Sequence, residues 1–360
     1  MDFTHTEERR MLSDSIRGFL TDNYTIEQRN EHAYAAPFHS SETWQGLSEI
    51  GILSALISEA QGGFGGTGFD INVVFEELGR GLCAEPVLPN MMGIRLLSEC
   101  NQNDLVNRIV AGEQKVAVAI YEPDNADQLE AISCQAQNSD GSQATLNGQK
   151  SVVYGAPSAD VLLVVAKQDN QLGLYLVEDF DASDYGLIDG GGASDVTLNN
   201  TPATCISNSA QALVDATLNA ARLALCAEAV GAMDVLLEMT IEYLKQRQQF
   251  GQPIALFQAL QHRCVDMAVE IEQCRSITTL AASKLGTEEE AEYVSKAKNL
   301  IGRGATLIAE EATQLHGGIG MTWEYAGAHY TKRLVMIDHQ FGDQHQHLEQ
   351  LVSAVQPTAA

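Results

Sequence analysis

The sequence predicts an α+β protein of three segments. A helical segment spans residues 1–114, a small β-rich segment 115–207, and a bundle of long helices 208–354. Three observations carry that prediction. Apolar residues recur at helical spacing towards both ends of the chain. Between them the period changes to short β-rich runs separated by turn sequences. After residue 208, three long apolar stripes follow one another, the pattern of helices packed side by side.

The N-terminal segment opens on "MDFTHTEERRMLSDSIRGFL", which puts Phe3, Met11, Leu12, Ile16, Phe19 and Leu20 on or near one helical face. It has no long apolar stretch and is not read as a secretory signal. "SEAQGGFGGTGFD" (58–70) is the strongest loop signal in the chain. A phosphate loop would follow a strand and lead into Lys-Ser/Thr. Neither is present, so a tight interhelical loop is expected. "VFEELGRG" (74–81) resumes the helix and stops it at Gly81.

In the middle segment "KVAVAIY", "QATLNGQKSVVYG", "ADVLLVVAK" and "GLYLVED" read as strands, separated by "NSDGS", "KQDNQ" and "DGGGASD". Asn147-Gly148 is a hairpin signal. Several short strands at this spacing predict a small antiparallel barrel or sandwich.

In the last segment Leu223, Ala227, Val230, Leu237, Ile241 and Leu244 form one stripe, with Asp234 in the missing slot. Phe257 to Cys274 forms a second and Val294 to Leu315 a third. Residues 223–237 are apolar nearly all round, which predicts a helix buried on several sides.

Composition narrows the function. There are 21 Lys and Arg against 48 Asp and Glu, a formal charge of −27. Nucleic acid and anionic membranes are therefore excluded as partners. Eleven of the 21 cations fall between 208 and 354, where a phosphate-bearing ligand would meet the chain. No run of 18 or more apolar residues predicts a membrane span. The seven cysteines show no C-x-x-C spacing and read as free thiols in a reducing cytoplasm.

"DHQFGDQHQH" (338–347) sets His339, Asp343 and His347 on one stripe if the helix is continuous, an arrangement that could hold a metal. Gly342 is expected to break that helix, so no metal is expected. His345 and His347 then fall on a polar terminal helix with surface roles. Asp343 is placed to N-cap it.

Two stretches make the reading specific: "YLKQRQQFGQPIALFQALQHRCVDM" (243–267) and "QLHGGIGMTWEYAGAHYTKRL" (314–334). Both closely resemble the signature stretches of the acyl-CoA dehydrogenase family, and the order of the three segments fits that family over the whole chain. Within it, the sequence is most similar to the small subunit of two-component enzymes such as pimeloyl-CoA dehydrogenase. Related pairs act on steroid side-chain thioesters. The guanidinium of Arg247 offers a fork of donors suited to a pyrophosphate. It is equally suited to pairing with a nearby carboxylate, with Phe257 as core. The resemblance implies the first: Arg247, beside Gln249 and Phe250, reaches the FAD pyrophosphate across a subunit interface. It further implies that Phe257, Gln258 and Gln261 lie near the adenosine part. Gln314, Gly317 and Gly318 are implied to contact the FAD of a neighbouring subunit.

The departures from the family carry as much information. The family's T-E-P-x-x-G-S-D stretch is "YEPDNADQ" (121–128) here, and its W-I-T-N stretch is "SVVYG" (151–155). Glu122 and Pro123 survive; the hydroxyl, the glycine-serine and the tryptophan do not. The catalytic glutamate of the family is also missing. Its position after the basic pair falls on Gly342. Its alternative position, before an arginine implied to serve the substrate and matching Arg222, falls on Ala221. Asp343, one residue late, is the one acidic substitute. The resemblance thus implies the smaller subunit of a hetero-oligomeric FAD-dependent enzyme that dehydrogenates an acyl-CoA thioester. A larger subunit would supply the base, in an assembly of two of each, and an electron-transfer flavoprotein is a candidate acceptor. The alternatives are a self-sufficient homo-oligomer using Asp343 and a flavin-free scaffold.

Overall fold

The computed structural model describes residues 5–125, 128–140 and 142–355. In chain order the helices are α1 Glu7–Asn23, α2 Ile26–Ala33, α3 Ser41–Ile50, α4 Gly68–Arg80, α5 Val87–Glu99, α6 Asn103–Val110, α7 Gln211–Gln246, α8 Gln258–Lys284, α9 Glu290–His316, α10 Ala326–His339 and α11 Gln344–Val355. The strands are β1 Val116–Ala119, β2 Gln135–Asp140, β3 Gln143–Tyr154, β4 Val161–Gln168, β5 Gln171–Val177, β6 Asp181–Gly186 and β7 Gly192–Ser207, with a two-stranded hairpin of β8 Gln248–Gln249 and β9 Gln252–Pro253.

The chain forms two compact units. Residues up to 21, 67–83 and 222 onward make the first; 22–66 and 84–221 make the second. These cuts differ from the hydropathy borders at 114 and 207, because α4 and most of α1 pack with the C-terminal helices.

In the first unit α1 buries Ile16 and Leu20. Leu12 and Phe19 are half-buried, Met11 is exposed, and Phe3 lies outside the described residues. Ser13 and Arg17 both donate to the Glu77 carboxylate on α4. Thr67 and Asp70 form a capping box that starts α4, and Gly81 ends it. Helices α4 and α7 cross with their backbones touching. A Cβ on Gly79 would stand 2.0 Å from Glu228 O, and one on Gly231 2.0 Å from Glu76 O. Asp234, the polar slot in the α7 stripe, accepts from Arg275 at 2.6 Å and Arg80 at 3.3 Å. Along α8 the stripe is core only from Met267 on. Phe257, Leu260 and Cys264 are half-exposed.

The second unit is built on a closed sheet. β4, β2, β3, β7 and β5 pair in turn, and β5 returns to β4. β1 lies parallel on β4, and β6 antiparallel on β7. The expected barrel is therefore present but mixed in direction. Asp169 and Asn170, both at positive φ (49° and 66°), turn β4 into β5 through "KQDNQ", as its composition predicts. One expected turn is corrected. Asn147-Gly148 lies inside β3, where the missing Cβ of Gly148 leaves room for Cys134: a Cβ there would stand 2.9 Å from Cys134 Cα. "DGGGASD" separates two strands as expected: Gly190 and Gly191, at positive φ (97° and 83°), turn β6 into β7, which begins at Gly192. The glycine loop is tight, as expected: a Cβ on Gly63 would stand 2.4 Å from the Ile57 and Ser54 carbonyl oxygens.

Candidate functional site

Helix α7 ends at a short hairpin. Phe250 and Gly251 form its turn, both at positive φ (55° and 79°), and Ile254 N closes it on Arg247 O at 2.9 Å. Phe250 is 90% exposed, its ring edge-on to Phe257 at 6.0 Å. An aromatic held at positive φ and in solvent is strained without internal compensation. Arg247 is exposed, and among the described residues no carboxylate pairs with it. Gln249 and Gln258 are exposed too, whereas Gln261 donates to Ala255 O at 2.8 Å.

Helix α9 ends at Gly317, with φ +66° and ψ −144°. Gln314, Gly317 and Gly318 are exposed, and no heavy atom lies within 4 Å of where a Cβ on either glycine would stand. Beside them Ile319, Met321 and Trp323 are 45%, 74% and 51% exposed.

The 338–347 stretch is not one helix. α10 stops at His339 and α11 starts at Gln344, which breaks the His339–Asp343–His347 stripe. Among the described residues no group of three or more His, Cys, Asp or Glu is placed to hold a metal ion. The loop between the helices is pinned from inside the protein. Lys298, with 0% exposure, donates to the carbonyls of Ile337 (2.7 Å), Asp338 (3.2 Å) and Gln340 (2.9 Å). Burial pushes its ammonium down to about 8. Arg222 donates Nε to Phe341 O at 2.9 Å. His347 was expected at the surface and is instead wholly buried. Its Nε2 lies 3.3 Å from Phe341 O and its Nδ1 3.3 Å from Ser295 Oγ. A carbonyl only accepts, so the proton belongs on Nε2. Burial, then the Arg222 and Lys298 charges, push this imidazole down to about 3. Gly342 has φ +98°, and a Cβ there would meet His347 Nε2 at 2.8 Å. Asp343 caps α11: its Oδ1 accepts from His345 N and Gln346 N, both at 2.9 Å. Ala221 is buried on α7.

In the second unit Glu122 is wholly committed to the fold. It accepts from Ser133 N (2.7 Å), Ser133 Oγ (2.6 Å), Cys134 N (3.0 Å) and the buried Lys150 Nζ (2.8 Å). Burial pushes its carboxyl up, but Lys150 and Ser133 outweigh that and hold it below the usual range. Within "SVVYG", Val152 sits at φ 49°, an outlier for a β-branched residue. Its amide donates to Asp195 Oδ1 at 3.1 Å. Lys150, His316 and Lys298 escaped the sequence reading, and His347 was read as a surface residue. No local irregularity marked them: Lys298 stands beside Lys296 and Asn299, and His347 among glutamines.

Residues 6–111 match the model for the N-terminal domain of acyl-CoA dehydrogenase, and 212–352 match that for its C-terminal domain. The chain belongs to the acyl-CoA dehydrogenase family. Acyl-CoA dehydrogenase FadE12 of Mycobacterium tuberculosis is 26% identical over 356 residues, covering 91% of this chain and 90% of that protein. The solved Tcur3481-Tcur3483 steroid ACAD is 29% identical, with a TM-score of 0.88 over 97% of this chain and 98% of that one. A glutaryl-CoA dehydrogenase of Mycobacterium smegmatis in complex with FADH2 shares the fold at 24% identity. Its TM-score is 0.87 over 99% of this chain and 96% of that one. The acyl-CoA dehydrogenase architecture of helical, β and helical parts is thus the fold of this chain. No helix among the described residues is long and apolar enough to cross a membrane.

Proposed function

We propose that this chain is the smaller subunit of a hetero-oligomeric FAD-dependent acyl-CoA dehydrogenase, and that a larger subunit supplies the base that removes the α-proton of the thioester. One observation carries the reading: neither family base position has a carboxylate, and the nearest substitute is spent elsewhere. Position 221 is alanine, and position 342 is a glycine at positive φ facing His347. Asp343 Oδ1 holds two backbone amides at the start of α11. A base must come within about 3 Å of the proton it takes. A carboxylate fixed as a helix cap is poorly placed to do so, which weighs against a self-sufficient enzyme using Asp343.

The residues at the ends of α7 and α9 suit FAD. Among the described residues Arg247 has no carboxylate partner, and Gly317 and Gly318 have open space where a side chain would stand. Arg247, beside Gln249 and Phe250, would pair with the pyrophosphate, Phe257, Gln258 and Gln261 would lie near the adenosine part, and Gln314 with the two glycines would meet the cofactor through hydrogen bonds. Bound FAD supplies the acceptor for the hydride leaving the β-carbon. Arg222, with Nε tied to Phe341 O, would orient the thioester rather than move a proton. The exposed Leu256, Val265 and Val269 offer an apolar surface for the larger subunit. The relation to a steroid ACAD supports a steroid side-chain thioester as substrate. A cytoplasmic location and an electron-transfer flavoprotein as acceptor complete the proposal.

The test is co-expression with the larger homologue. The pair should purify as a yellow complex whose flavin is bleached by acyl-CoA. Turnover by this chain alone at ordinary enzyme rates, about 1–1000 per second, would refute the assignment.

A further inference from the structure

The end of α9 holds a buried polar contact that the proposed reaction does not use. His316 is 4% exposed. Its Nδ1 lies 2.8 Å from Ala312 O, so the proton sits on Nδ1 and Nε2 is the acceptor. Tyr325 donates its hydroxyl to that Nε2. Burial holds the imidazole below its usual range, against the pull of the Ala312 and Met239 carbonyls, and so keeps Nε2 an acceptor. The ring is packed between two tyrosines. Tyr243 lies at 4.6 Å and 33°, Tyr325 at 4.6 Å and 43° between centroids and planes.

Each of the three rings belongs to a different part of the flavin half-site. Tyr243 is one turn before Arg247, whose amide donates to Tyr243 O at 2.8 Å. His316 immediately precedes the Gly317 turn, and Tyr325 closes the 317–325 segment ahead of α10. Gly317, at φ +66°, and Gly318 have open space where a side chain would stand, so no side chain of their own fixes the path of the turn.

We propose that His316 is a positioning residue: through the Tyr325 hydroxyl and the Tyr243 ring it fixes the Gly317–Gly318 turn against Arg247. The guanidinium and the turn's backbone are then set for a pyrophosphate before it arrives. A ligand meeting a preset site loses less affinity to ordering it. The inference rests on the FAD reading of Arg247 and the glycine turn.

The experiment measures FAD affinity of the deflavinated protein by flavin fluorescence, alongside the melting temperature, with the larger subunit present where the two co-purify. Tyr325→Phe removes the donor. His316→Asn keeps a donor near Nδ1 and loses the acceptor, whereas His316→Gln places an amide oxygen near Nε2. Tyr325→Phe and His316→Asn should each weaken FAD binding about 2- to 10-fold, the worth of one hydrogen bond. The double variant should be no weaker than the worse single one. His316→Gln should recover most of the affinity, and the melting temperature should not follow these changes. Additive losses, undisturbed affinity in Tyr325→Phe, or losses that track melting would overturn the role. Arg247→Ala separates the two levels: if it leaves FAD affinity untouched, the half-site itself is wrong, and if it alone weakens binding, only His316 is misassigned.

Discussion

Asp343 and Gln346 bond each other's backbone. Asp343 Oδ1 accepts from Gln346 N at 2.9 Å, and Gln346 Oε1 accepts from Asp343 N at 2.8 Å. This reciprocal cap starts α11 with the one carboxylate near the family's base position. Burial pushes that carboxyl up, but the amides of Gln346 and His345 outweigh it and hold it below the usual range. The folded value lies under the unfolded one. The cap's contribution is therefore full above the ordinary aspartate range and is lost as pH falls through the folded value. Asp343→Ala should cost about 1 kcal/mol in denaturant unfolding, and Asp343→Asn much less. Turnover of the proposed complex should survive both. A loss of orders of magnitude in Asp343→Asn, with folding and FAD content intact, would make Asp343 the base.

Gly342 should not accept a side chain. With φ +98° and His347 Nε2 at 2.8 Å from an added Cβ, Gly342→Ala is expected to destabilise by about 1–3 kcal/mol. Gly342→Glu restores the family's residue type but aims it at His347, so flavin reduction by the chain alone should not appear. Urea midpoints and a stopped-flow trace with acyl-CoA check the two halves. Bleaching in Gly342→Glu would show that the loop can adopt the catalytic path.

Glu85 carries a pH signature of the second unit. Both its oxygens accept from Ser40 N (3.1 and 3.2 Å), and His39 Nδ1 lies 3.7 Å away. Burial pushes the carboxyl up to about 8. A raised carboxyl keeps its proton in the folded state after the unfolded chain has lost it. Stability should therefore fall by about 1.4 kcal/mol per pH unit from pH 4.5 up to about 8 and then level off. Burial lowers His39 and gives a slope of opposite sign, so the comparison is wild type against Glu85→Gln, which keeps His39. A wild-type-minus-variant difference that is flat with pH would mean Glu85 is ionised in the fold.

Arg247→Ala should lower FAD affinity by about 10- to 150-fold, the equivalent of about 1.5–3 kcal/mol for a charged hydrogen bond. Arg247→Lys should recover part, because an ammonium lacks the fork. Flavin absorbance per protein after gel filtration reads both.

The helical stripes were legible because burial repeats with the helix: Leu223, Ala227 and Val230, like Val294, Ala297 and Ile301, are core as their spacing predicts. Gly81 marked its helix end for the same local reason. Features that need a second, distant backbone were not legible. Gly148 looked like a turn because its neighbour is Asn147; it is mid-strand because Cys134 passes close by. His347 looked like a surface residue among glutamines, and distant partners such as Ser295 make a buried imidazole tolerable. Lys298 had no local mark at all. What it satisfies are carbonyls 39 to 42 residues further on. At the candidate site the motifs located Arg247 and Gly317, but the His316–Tyr325 contact between them depends on how the 317–325 segment folds back.

The touching of α4 and α7 has a consequence on the ribosome. Arg275 on α8 reaches back to Glu76 on α4, 199 residues earlier in the chain. At about 5–20 residues per second, synthesis takes roughly 10–40 s to cover that separation. For most of that interval α4 exists without its C-terminal partners, although Ile71, Val73, Val74, Phe75 and Leu78 are all buried in the finished protein. The nascent chain therefore carries an apolar helix in waiting while the whole barrel is made. Yield of this chain should respond to translation speed, growth temperature and holding chaperones more steeply than the stability of the finished fold would suggest.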